Sequence, residues 1–256
     1  MKDQYVGDVG DFGKYGLLRA LTGMTAPGRP LKLGVVWYLT PPDANNAGGQ
    51  VAYLQPKHEP RFRPCDPPLY DELKDIVGSG ERRVKAVEES GVLGPEAVFH
   101  RERLTFRGVA PNERVKHRAR WFDQAVGTVA SPIDVVFVDP DNGIEPASFD
   151  PQDLNAPKHV IFRELETAVR RGQTLIAYHH FGHHRPHKDQ IRDRLREIDR
   201  RLRPEAPPFA LRYHPWHPRA FFVVPAPADE PLLRSRAEGV IHGPWRKHFD
   251  GRIYTP

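Results

Sequence analysis

Cysteine is almost missing from this chain. Cys65 is the only one in 256 residues, so disulfide scaffolding is excluded. Nor does Cys65 read as a nucleophile, because the segment around it, Arg63 to Pro68, provides no local base. No apolar run approaches the ~20 residues of a membrane span, so no membrane partner is expected. Met1 to Asp8 contains neither an apolar signal core nor a lipidation pattern, and the expected location is the cytoplasm. No internal repeat or low-complexity tract is present. Charge of one sign is not scarce: 38 Lys and Arg stand against 33 acids, a formal +5. That excess suits a polyanionic partner, nucleic acid or a nucleotide-like substrate, but an ordinary basic protein shows it too.

What is present alternates between strand and helix patterns. Asp134-Val-Val-Phe-Val-Asp139-Pro-Asp-Asn-Gly143 is a short apolar run ending in acid, proline, amide and glycine. It reads as a buried parallel strand opening into a polar loop at its carboxyl end, where open α/β sheets place ligands. Asp139 is therefore the expected centre of any active site. Earlier, Asp11 is placed to cap a helix from Phe12 to Leu21, and Lys32 to Leu39 reads as a strand. A long loop or small insertion follows near 40–66, with a hairpin signal around Asn46 to Gly49.

Helical patterns return at Pro68 to Val77, Glu81 to Ser90 and Glu113 to Val129, with a short strand near Ala97 to Arg101. His159 to Arg171 reads as a helix that Gly172 stops before the strand Thr174 to Tyr178. Ile191, Leu195, Ile198 and Leu202 form the apolar stripe of a further helix, whose arginines read as a solvated face or as a nucleic-acid surface. Phe209 to Tyr213 and Ala220 to Val224 are two strands of an antiparallel hairpin. These elements predict one Rossmann-like α/β domain over residues 1–256. Its sheet would be mostly parallel, with helices on both faces and a C-terminal antiparallel hairpin.

Three constellations carry chemistry. Gly7, Gly10, Gly13 and Gly16, with Asp8, Asp11 and Lys14 between them, predict a flexible loop running into a helix, whose first amides and Lys14 suit an anion. Asp139, Pro140, Asp141 and Asn142 form the acid-proline loop. His179, His180, His183 and His184 follow the strand ending at Tyr178, on the sheet edge that would also carry Asp139 and Asp141. Histidine nitrogens and carboxylate oxygens there could hold a divalent metal for phosphodiester hydrolysis, a nuclease or phosphoesterase reading.

The layout resembles the class I S-adenosylmethionine-dependent methyltransferases. More narrowly, Gly7-Asp-Val-Gly-Asp-Phe-Gly-Lys14-Tyr15 is similar to the amino-terminal segment of the RlmJ-type 23S ribosomal RNA adenine-N6 methyltransferases, and Asp139-Pro140-Asp141-Asn142 occupies the place of their Asp-Pro-Pro-Tyr motif. The resemblance implies S-adenosylmethionine as cofactor, held by Gly7, Asp8, Gly10, Asp11, Tyr38 and Tyr178. It implies an amine acceptor oriented by Asp139 and Pro140, with Asp141, Asn142 and Lys14 assisting. Asp141 and Asn142 replace the second proline and the aromatic residue, so base stacking would fall to Phe12, Tyr15 or Tyr178. Val36 to Asp43 contains no glycine-rich turn for the cofactor. A chain that keeps the fold and binds nucleic acid without catalysis is the third reading.

Overall fold

A computed structural model describes residues 1–42, 48–130, 132–182 and 185–256. The chain opens with α1 (Val9–Thr22) and β1 (Leu33–Val36); from Ala52 to Cys65 it runs through short turns and α2 (Glu59–Phe62). There follow α3 (Pro67–Gly78), α4 (Val84–Glu89), β2 (Val98–His100), α5 (Pro111–Thr128) and β3 (Val135–Val138). Next come the two-residue strands β4 (Gly143–Ile144) and β5 (His159–Val160), then α6 (Phe162–Arg170), β6 (Thr174–His180) and α7 (His187–Leu202). The hairpin β7 (Phe209–Tyr213) and β8 (Arg219–Val224) precedes α8 (Glu230–His242).

The main sheet has the order β2-β1-β3-β6-β8-β7, parallel from β2 to β6 and antiparallel where β8 meets β6 and β7. β4 and β5 form a separate parallel pair. Every residue of β3 is buried, because helices cover both faces of the sheet: α1, α3 and α8 on one, α5, α6 and α7 on the other. An apolar run without alternation is what such a strand requires. The architecture is the expected α/β, Rossmann-like one. Among the described residues no helix is long and apolar enough to cross a membrane.

Several boundaries differ from expectation for identifiable reasons. Asp8, not Asp11, caps α1, accepting from the Asp11 amide at 2.9 Å, so the helix begins at Val9 rather than Phe12. Gly10, Gly13 and Gly16 are therefore helical, not a flexible loop. Their missing side chains admit neighbours: a methyl at Gly13 would stand 2.4 Å from the Tyr213 ring and one at Gly16 2.0 Å from the Trp245 ring. β1 stops at Val36, and Tyr38 turns to φ 46. His159 and Val160 belong to β5, because the Ile161 amide bonds the Glu164 carboxylate and α6 starts only at Phe162. Of the hairpin expected at Asn46 to Gly49, Asn46 and Ala47 lie outside the described residues.

Candidate active site

Parallel strands carry their open carboxyl ends to one edge, and there β3 and β6 meet the start of α1 around a cavity of about 450 Å3. Asp8, Gly10, Asp11, Lys14, Asp139, Pro140, Asp141, Tyr178 and His180 all line it. The two motifs singled out in the sequence thus face each other. Their link is Lys14, only 4% exposed, whose Nζ donates to Asp11 Oδ1 at 2.8 Å and to Asp139 Oδ2 at 2.7 Å. Asp11 is further held by the Gly7 amide at 3.2 Å and the Tyr15 hydroxyl at 3.1 Å.

Burial disfavours the Lys14 ammonium, but Asp11 and Asp139 outweigh it and hold its pKa above the ordinary value. Lys14 is a permanent cation here and no base. Asp139 is 1% exposed, and burial lifts its carboxyl above the usual range even though Lys14 and the Met1 amine pull against that. Asp141 goes the other way: burial opposes its charge, yet the Met1 amine and Lys2, whose Nζ lies 2.5 Å away, keep it low. The Met1 amine donates to the backbone carbonyls of Asp139 at 2.9 Å and Tyr38 at 3.2 Å.

On the far wall, Arg219 Nε donates to the Tyr178 hydroxyl at 3.0 Å, and that hydroxyl lies 2.7 Å from His180 Nε2. A guanidinium only donates, so the hydroxyl oxygen accepts from Arg219, and the direction of its bond to Nε2 goes with the imidazole tautomer. Burial and then Arg219 push the His180 pKa down to about 3, which leaves the ring neutral.

Other expected site residues lie elsewhere. The Tyr38 side chain is on the opposite face of the sheet, where its hydroxyl donates to Glu164 at 2.9 Å and its ring packs on Trp121. Gly7 is in a turn at φ 76 behind the cavity, its carbonyl taken by Tyr53. Asn142 and His179 face a neighbouring groove: the Asn142 amide is 3.3 Å from His159, and His179 Nδ1 accepts from the Ile144 amide at 3.1 Å. Phe12 and Tyr15 are buried in the core, so of the three rings considered for base stacking only Tyr178 reaches the cavity.

His183 and His184 lie outside the described residues. Among the described residues no group of three or more His, Cys, Asp or Glu side chains is placed to hold a metal ion, and Asp139 and Asp141 each have an ammonium partner. On α7, Asp193 pairs with Arg185 and Arg196, and Glu197 with Arg194 and Arg201. Arg118 on α5 is buried and forks onto Glu164 at 2.7 Å.

Cavity residues missed in the sequence include Met1, Tyr5, Gln50, His217 and, above all, Arg219. One signal was available: a cation at the first position of Arg219-Ala-Phe-Phe-Val-Val224, a strand buried throughout. No protein-family model and no curated protein matches the chain.

Proposed function

We propose that this chain is a methyltransferase that uses S-adenosylmethionine to methylate an amine of nucleic acid or of another base-containing substrate. The observation that carries the reading is the Lys14–Asp139 contact, which joins two motifs 125 residues apart in one cavity. Those are the two segments on which the methyltransferase resemblance rests. The antiparallel strand β8, seated between β6 and β7, agrees with the terminal hairpin of that resemblance.

The residues present fit such a cofactor. About 450 Å3 falls within the ~300–1,000 Å3 of small-molecule sites. The walls carry carboxylates and cations together, as a ligand with ammonium, carboxylate and sulfonium charges requires. One buried guanidinium nitrogen, Arg219 Nη1, has no acceptor. When bound, the cofactor supplies a methyl group activated by its positive sulfur.

The chain's own residues would do the rest. The Asp139 carboxylate and the Pro140 carbonyl accept hydrogen bonds from the target amine and aim its lone pair. Lys14 favours the Asp139 carboxylate against a burial that raises its pKa, and Asp139 is the acceptor at hand for the proton the methylated amine must lose. Tyr178 offers a ring to the base. Neutral His180 adds a polar ring without charge.

Calorimetric titration of wild type and Asp139→Ala with S-adenosylmethionine and S-adenosylhomocysteine, beside methyl-transfer assays on RNA, tests this. Binding near micromolar should persist in the variant while transfer falls by at least ~100-fold. Retained transfer, or no binding by wild type, refutes it.

A further inference from the structure

Arg219 is the one charged residue of β8, 6% exposed in the cavity wall. Its Nε is taken by Tyr178, and its Nη2 lies 3.8 Å from Asp8 Oδ2. Its Nη1 is buried without an acceptor. A buried charged N–H left unpaired is costly and rare, and it points to a group that binds beside it.

The place is shaped for that side chain. Gly10 is the second residue of α1 and lines the same cavity, and a methyl on it would stand 1.6 Å from Nη1. Only glycine admits the guanidinium there. The amino end of a 14-residue helix also favours negative charge. Asp8 Oδ2, 3.8 Å from Nη2, is beyond hydrogen-bond reach of the guanidinium. Asp8 and Asp11 flank the cation, which leaves acceptors for an ammonium close to any bound anion.

We infer that Arg219 and the first turn of α1 form a subsite for a ligand carboxylate, and specifically for the amino-acid end of S-adenosylmethionine. The inference rests on the methyl-transfer reading. It adds a specificity residue from the C-terminal hairpin, and it accounts for a cofactor site built without a glycine-rich turn after β1. A guanidinium grips a carboxylate through two parallel N–H bonds, with an affinity that a neutral amide does not reproduce.

The test compares S-adenosylhomocysteine with S-adenosyl-3-thiopropylamine, the same molecule with hydrogen in place of the carboxylate, by calorimetry. Wild type should prefer the carboxylate ligand on the order of 10- to 100-fold, the range of a hydrogen bond to a charged group. Arg219→Gln should erase that preference, so that the two ligands bind alike. Arg219→Lys should restore part of it. Gly10→Ala, which keeps the arginine and favours the helix, should displace the guanidinium and erase the preference as well. Thermal melts of each variant confirm that it is folded.

A preference that survives Arg219→Gln, or an equal loss of both ligands, overturns the inference and leaves methyl transfer standing. Loss of RNA affinity in Arg219→Gln with the preference intact assigns the cation to a phosphate and also overturns it. No binding of either ligand by wild type removes both readings.

Discussion

Replacing Lys14 with methionine, which keeps most of the side-chain length and removes the charge, would strand two buried carboxylates. Asp11 retains the Gly7 amide and the Tyr15 hydroxyl, but Asp139 loses the ammonium that donates to its carboxylate. Breaking a buried ion pair from one side costs about 3–5 kcal/mol. For a chain of this size that is roughly 6–20 °C in melting temperature.

The loss should depend on pH, with a definite sign. Burial already holds Asp139 above the ordinary carboxylate range. The folded state therefore keeps that proton to higher pH than the unfolded chain, and stability falls as pH rises between the two values. Without Lys14 the folded value climbs further and the interval widens upward. The deficit against wild type should be largest near pH 8 and shrink toward about pH 5. Adding Asp139→Asn removes the stranded charge and should recover most of the loss. Circular dichroism melts of the three proteins across that range decide it. A deficit under about 1 kcal/mol at neutral pH, or one that is flat with pH, would refute the buried-pair account.

Other outcomes follow from the same structure. Gly16→Ala should destabilise by about 1–3 kcal/mol in urea, since the crowding against Trp245 outweighs the ~1 kcal/mol gain in helix propensity; a more stable variant would mean that the ring relocates freely. His180, pushed to about 3 against 6.5 for a free imidazole, should show neutral nitrogen shifts by NMR down to about pH 5, and an inflection near 6.5 would contradict its burial. Its depressed pKa also means that wild-type stability declines as pH falls below 6.5; Lys14 contributes to that depression, so the decline should be weaker in Lys14→Met.

The legible parts of the sequence were those where one physical demand dominates. β3 is buried on both faces, so Val135 to Val138 had to be uniformly apolar, and its end at Asp139 marked the site. The β7–β8 hairpin showed its turn residues. α1 was misread at its start because every residue from Val9 to Thr22 is buried, which removes the polar face that normally reveals a helix and its phase. Its glycines looked like loop chemistry, while their use is close approach. β4 and β5, two residues each, are too short for any period to register. α8 passed unnoticed, and buried Arg236 within it blurs the boundary between core and surface residues. Arg219 was hidden by distance along the chain: nothing near it in sequence indicates Gly10.

The glycine stripe of α1 also bears on how the molecule is made. Gly10, Gly13 and Gly16 pack against Arg219, Tyr213 and Trp245, and Arg236 Nη1 bonds the Leu21 carbonyl across 215 positions. Although α3 meets α1 from nearby in the chain, these partners are synthesised about 200 residues after it, so this part of its packing forms only once they have left the ribosome. Contacts of such sequence separation slow folding, because loop closure comes before any of them forms. The cavity would be among the last features to assemble, so loss of the C-terminal 40 or so residues should abolish a site whose acidic centre lies far upstream.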